Sequence, residues 1–159
     1  ETPADPEIRR RLAFDPAFHD ADALIEAIDE PLLPYDRLNR LAAAIQTKIT
    51  VSPAIETYLI GLWDALRDPV AAGISIEDVD VSRLIVGGAS PRGVSALVRA
   101  ARARAWLEGR SALVPDDIRA IFAPVMGHRI FFSPIYEMRR DQIAPKLHDA
   151  LFDAVPVPV

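Results

Sequence analysis

Gly87-Gly88-Ala89-Ser90-Pro91-Arg92 leads into a segment of helical periodicity that runs to about Leu107. Serine is a preferred N-cap, proline suits the first helical position because its missing N–H would have no partner there, and the glycines free the chain's approach. Arg92 is thereby predicted on the first turn of a helix. The helix dipole puts partial positive charge at that end and favours an acid. An arginine makes sense there if an anion arrives, because backbone N–H groups and a guanidinium can address one phosphate together. The same residues also fit a surface arginine that merely follows a cap, and the local pattern does not separate the two.

Downstream, the helix begun at Ser90 turns Val94, Leu97, Val98, Ala101 and Ala105 inward, with Trp106 at the edge of that face and Arg99 and Arg102 on another side. Gly109 is placed to end it. Val114-Pro115-Asp116-Asp117 opens the next helix, both aspartates suiting the positive end of its dipole. Ile118, Ile121, Phe122 and Val125 form its inner face, Pro124 disturbs its last turn, and Gly127 ends it. Ile130-Phe131-Phe132 fits either a short strand or a buried linker. From Gln142 a final amphipathic helix carries Ile143, Leu147, Leu151 and Phe152, and Val155-Pro156-Val157-Pro158-Val159 is extended.

Upstream, Ser52-Pro53 repeats the cap-plus-proline start, and Ile55, Leu59, Leu62, Trp63 and Leu66 make an apolar stripe that ends near Arg67, before Asp68-Pro69. Tyr35 to Ile49 is a helix whose core-forming stripe is Leu38, Leu41, Ala42, Ile45 and Ile49. Val70 to Val86 is a connection, with a short strand pair and another helical turn both open. Asp22 to Asp29 is a short helix stopped by Pro31 and Pro34, and Glu1 to Pro16 reads as an arm with at most one helical turn. The fold class is all-α: a small helical bundle over 35–133, an N-terminal arm and short helix over 1–34, a C-terminal helix and proline-rich tail over 134–159, and room for one minor strand pair.

A half-apolar chain of 159 residues can bury a real core without staples. There is no cysteine, which removes disulfides and thiolate chemistry and is compatible with a reducing cytoplasm, where we expect the protein. No apolar run approaches the roughly 20 residues that span a bilayer, so no membrane partner is expected. The net charge of −5 argues against nucleic acid as a general partner. That charge is uneven: Glu1 to Glu30 holds nine acids against three arginines, whereas Arg92 to Arg110 holds five arginines against Glu108 alone.

Self-contained catalytic apparatus is missing from the sequence. Lys48 and Lys146 are the only lysines and neither follows a glycine, so no phosphate-cradling loop can be drawn, and there is no Gly-x-Gly-x-x-Gly or Gly-x-Ser-x-Gly. His19, His128 and His148 lack the spacing that places two ligands on one helix face, so no metal site is expected. Leu24 to Glu30 ends in an acid pair, like a metal-binding ATPase strand, but its apolar spacing is helical.

Five ordered pieces carry a resemblance: Gly88-Ala89-Ser90-Pro91-Arg92, Ala100-Ala101-Arg102-Ala103, Leu107-Glu108-Gly109-Arg110, Val114-Pro115-Asp116-Asp117-Ile118 and His128-Arg129-Ile130. In order and spacing they resemble the C-terminal lid of MoxR-family AAA+ ATPases over about Arg83 to Ser133, and Tyr35 to Arg67 resembles the preceding lid helices more loosely. The family usually has alanine where Gly93 stands. The resemblance implies that Arg92 is the sensor-2 arginine, reaching the γ-phosphate of a nucleotide held by a large ATPase domain, with Ser90 and Pro91 beside it in the nucleotide-binding turn. It implies ATP and Mg2+ for the intact parent and none for this piece, which should be inactive alone. It further implies the large domain of the same chain or a neighbouring subunit as partner, a ring oligomer, a chaperone-like or protein-activating role, and partners bearing von Willebrand A domains. Arg67 resembles another arginine common to the family at that place.

A second reading stays open from the residues alone. A free-standing helical adaptor would bind a protein through the basic helix or the tail, with no nucleotide role. DNA binding through the Arg99 and Arg102 face is a third, against which the overall acidity argues.

Overall fold

The computed structural model describes residues 4–28 and 35–158. They fall into two units, Glu1–Arg40 and Leu41–Val159, each with its own internal contacts.

The first unit is more helical than its prolines suggest. Helix α1 spans Pro6–Phe14, a 3-10 turn follows at Pro16–Phe18, and α2 covers Ala21–Glu26. The expectation of at most one helical turn in the arm is therefore corrected. Pro6 starts a helix instead of blocking one: the Asp5 carboxylate accepts the Glu7 N–H at 2.8 Å, and Pro6 occupies a position that needs no donor. The expected end of the second helix at Asp29 lies outside the described residues. No residue of α1 or α2 is buried.

Helix α3, Tyr35–Lys48, carries the predicted periodicity but not the predicted burial. Only Ile45 and Ile49 are buried, whereas Leu38 is 43% and Leu41 38% exposed and Ala42 is also exposed. Only the last two turns of the apolar stripe meet a core; periodicity says which face is apolar, not what covers it.

The second unit is built on α4 (Pro53–Arg67), α5 (Pro91–Leu107), α6 (Pro115–Met126) and α8 (Arg140–Ala154), with the short α7 at Pro134–Glu137. Ser52 caps α4 and Ser90 caps α5, each through its hydroxyl oxygen. Gly109, at φ +73°, ends α5: the Arg110 and Gly109 N–H groups donate to the carbonyls of Ala105 and Trp106. A Cβ built on Gly93 at the start of α5 would stand 3.6 Å from Met126 Cε at the end of α6, while Arg110 just past α5 meets Asp117 in the first turn of α6. The two helices therefore run antiparallel. Pro124 lies in the last turn of α6, and a 3-10 turn at Gly127–Arg129 follows.

The open strand question resolves at one end of the connection. Strand β1 (Ile85–Gly87) pairs antiparallel with β2 (Phe131–Phe132), Ile85 opposite Phe132 and Gly87 opposite Phe131. A Cβ on Gly87 would stand 3.2 Å from the Phe131 ring, so the position favours a residue without one. The core joins Ile55, Leu59, Leu62 and Leu66 of α4 to Leu97, Ala101 and Ala105 of α5, Ile118 and Phe122 of α6, and Ile143, Leu147, Leu151 and Phe152 of α8. After α8 the chain is extended, and Val155 lies against α4, its Cγ1 3.0 Å from where a Gly61 Cβ would be.

Candidate functional site

The turn that carries Arg92 is held from three directions. The Ser90 hydroxyl accepts the Gly93 N–H at 3.2 Å, closing the first turn of α5. The Trp63 indole N–H donates to the Ala89 carbonyl at 2.8 Å, tying the loop to α4. Gly88 passes the same helix closely enough that an added Cβ would lie 3.5 Å from the Leu66 carbonyl oxygen. Trp63 was expected in the apolar stripe of α4. It is half-buried instead, because an indole needs a partner for its N–H as well as cover for its ring.

Ser90, Pro91 and Arg92 are all exposed. Among the described residues the Arg92 side chain makes no hydrogen bond and no ion pair. Arg67, at the end of α4, is also exposed and pairs loosely with Asp64 at 3.3 Å. A shallow cleft of about 380 Å³ lies beside the loop, lined by Trp63, Arg67, Ile85, Val86 and Gly87 to Ala89. None of Ser90, Pro91 and Arg92 lines that cleft; a guanidinium without a partner among the described residues, on the first turn of a 17-residue helix, can by itself meet a phosphate.

Among the described residues no group of three or more histidine, aspartate or glutamate side chains is placed to hold a metal ion by itself. His128 is exposed beside Arg129, and His148 packs with Phe122 and Phe152 at ring separations of 5.7 and 4.8 Å. An apolar cavity of about 280 Å³ between α6 and α8 includes His148 in its wall but none of Gly88 to Arg92.

The rest of α5 divides differently from its sequence reading. Leu97, Ala101 and Ala105 are buried, Val94 and Val98 are half-buried, and Trp106 is 41% exposed and outside the core. Arg99 is exposed, whereas Arg102 is half-buried. Asp117 stands in the first turn of α6 as expected, but with a partner the sequence does not announce: it is 0% exposed, held by both terminal nitrogens of Arg110 at 2.6 Å and by the Val114 N–H at 3.0 Å, with Arg104 Nε 3.6 Å away. Burial pushes its carboxyl up, but the hydrogen bonds from Arg110 and Val114 and the charges of Arg110 and Arg104 outweigh this and hold it below the usual carboxylate range. The hydrogen bond to Asp117 in turn raises Arg110.

Comparison with known proteins bears on the same region. A family described as the AAA lid domain matches residues 78–147, an interval that takes in the Arg92 turn, α5 and α6. The chain is 55% identical to Protein MoxR of Methylorubrum extorquens over 99% of its own length and 46% of that protein's. It is 54% identical to Protein MoxR of Paracoccus denitrificans, over 99% and 47% respectively. Chaperone MoxR1 of Mycobacterium tuberculosis is 30% identical over 61% of this chain and 24% of that one. The chain thus spans about half the length of the first two relatives. Among solved structures, a protein from Cytophaga hutchinsonii named provisionally as an ATPase superposes with a TM-score of 0.62 at 28% identity, covering 74% of this chain and 34% of that one.

Proposed function

Because the chain belongs to the MoxR family of AAA+ ATPases and carries its lid domain, we propose that Arg92 is its sensor-2 residue, reading the γ-phosphate of ATP bound by a large ATPase domain. The observation that carries this reading is an exposed guanidinium with no partner among the described residues, fixed on the first turn of a long helix. Its N–H groups would donate to γ-phosphate oxygens, and Ser90 and Pro91 would set the direction of approach. A cation on one rigid body that contacts a phosphate on another makes their relative angle depend on whether that phosphate is present. Nucleotide state would in this way set the position of the lid and of the subunit it touches.

In the intact protein ATP and Mg2+ would be held mainly by the large domain, of the same chain or a neighbouring subunit in a ring. We take 35–133 as the lid body, with 1–34 as the arm and 134–159 as an attached helix and tail. The name of the mycobacterial relative supports a chaperone-like role. A cytoplasmic location and a client or partner with a von Willebrand A domain complete the proposal. No helix among the described residues is long and apolar enough to cross a membrane.

The test is a distance between labels on the lid and on the large domain of the intact protein. It should change between ATP and ADP, and the change should vanish in Arg92→Ala. A change that persists in the variant would favour a lid moved by other contacts, and no change in either protein would favour an adaptor with no nucleotide role.

A further inference from the structure

We propose that Arg129 is a positioning residue for Arg92, bracing the first turn of α5, and that Arg140 holds the turn from which Arg129 projects. The inference rests on the nucleotide-sensing reading of Arg92 and gives a role to the His128-Arg129-Ile130 piece, which that reading leaves unused.

The contact is made at Gly93, next to Arg92. Gly93 is buried, and a Cβ built on it would stand 3.1 Å from Arg129 Cδ and 3.6 Å from Met126 Cε. The stem of Arg129 thus lies against the backbone of the turn that displays Arg92. Its head is occupied elsewhere: Nη1 donates to the Val125 carbonyl at the end of α6 and lies against the His128 ring. A cation at a helix C-terminus is favourably placed, so the guanidinium is anchored while the methylenes fill the space above Gly93. Arg129 is a strut with one end on α6 and its middle on α5.

The strut has its own support. Arg140, at the start of α8, donates through Nη2 to the Gly127 carbonyl and, at 2.7 Å, to the Ile130 carbonyl, which bracket the 3-10 turn carrying Arg129. Its Nη1 meets Glu137 Oε2 at 3.1 Å, and its guanidinium carbon lies 4.7 Å from the centre of the Phe132 ring. One planar cation therefore fixes both ends of the turn, and Ile130, 5% exposed, pins it to the core.

Without the Arg129 stem, the first turn of α5 would keep its Ser90 cap but lose the body it leans on, and the Arg92 guanidinium would be less well aimed. Misplacement by about 1 Å can slow a reaction by about 100-fold. The loss should fall on kcat if Arg92 meets the γ-phosphate most strongly in the transition state.

The experiment uses the intact ATPase and reads kcat and KM for ATP, with the melting temperature as a separate measure of folding. Arg129→Ala should lower kcat about tenfold or more, with KM changed by less than about twofold, and Arg129→Lys should recover most of the loss. In an Arg92→Ala background, Arg129→Ala should lower kcat no further, because a positioning residue acts only through its target. Unchanged kcat with Arg92 present, or an undiminished loss with Arg92 absent, would overturn the proposal and leave the sensor reading standing. Unchanged kcat in Arg92→Ala alone would remove the sensor reading and this inference with it, a result obtained without touching Arg129. Should Arg129→Ala fail to fold, Arg129→Met, which keeps the methylenes over Gly93 and drops the head, should retain most of kcat with Arg92 present, and Arg129→Ser, which removes the stem, should lose it; equal kcat in the two variants would overturn the proposal.

Discussion

Arg110 and Asp117 meet through two parallel hydrogen bonds of 2.6 Å, Nη1 to Oδ2 and Nη2 to Oδ1, across the turn that joins α5 to α6. The carboxylate is 0% exposed, yet both oxygens are hydrogen-bonded, Oδ2 also accepting the Val114 N–H, and Arg104 adds a second charge 3.6 Å away. Asp117→Asn would keep the shape and remove the charge, leaving Arg110 and Arg104 to face a neutral amide. Breaking one side of such a pair should destabilise the domain by less than the about 3 to 5 kcal/mol of a fully buried pair, because the Arg110 side chain stays 35% exposed. Chemical denaturation should report that loss, and an unchanged midpoint would mean that the pair contributes nothing.

Acid sensitivity follows from the same carboxylate. Its folded-state value is depressed, so its contribution is fully present above the unfolded value of about 3.9 and is lost as pH falls through the lower folded value. The difference in stability between the native protein and Asp117→Asn should therefore be constant from neutral pH to about pH 5 and shrink below about pH 4. A difference that stayed constant down to pH 3 would place the origin of the destabilisation in packing.

Leu97 is 3% exposed within the core formed by α4, α5, α6 and α8. Truncation to alanine leaves a cavity as well as losing transfer free energy, so Leu97→Ala should destabilise the domain by about 2 to 5 kcal/mol. A thermal melt measures this, and a loss below about 1 kcal/mol would show that the site collapses around the gap.

Ser90 and Trp63 both hold the loop before Arg92, by different bonds. Ser90→Ala removes the cap of α5 and should cost about 1 kcal/mol. Trp63→Phe keeps most of the ring but deletes the N–H that reaches the Ala89 carbonyl, at a similar cost of about 1 kcal/mol. The bonds attach to neighbouring residues, so the double variant should deviate from the sum of the singles. Strict additivity in denaturation would mean that the loop is not one cooperative element.

Helix starts were legible because their signals are local. Ser52-Pro53, Ser90-Pro91 and Val114-Pro115 each mark an observed first turn, and the pattern Asp5-Pro6 carried the same message in the arm. Burial was legible only in part: Ile45 on α3 and Ile49 just past it are buried, while Leu38 and Leu41 of the same stripe are exposed. Trp63 was misjudged because periodicity weighs the indole as apolar and ignores its N–H, which here reaches the Ala89 carbonyl. The pairing of Ile85 with Phe132 and the brace of Arg129 on Gly93 join residues far apart in the chain, so no local pattern announces them. Arg92 itself could be placed on its turn from Ser90 and Pro91 alone, but its lack of a carboxylate partner among the described residues needed the surrounding fold.

The most direct measurement is ATP turnover by the intact protein carrying Arg92→Ala, alongside the melting temperature of the isolated domain. Since Arg92 is exposed and unpaired among the described residues, the melt should not move, while kcat should fall at least about tenfold, equivalent to about 1.4 kcal/mol of transition-state stabilisation. Turnover equal to that of the unaltered protein, with an unshifted melt, would contradict the assignment of Arg92 to the γ-phosphate.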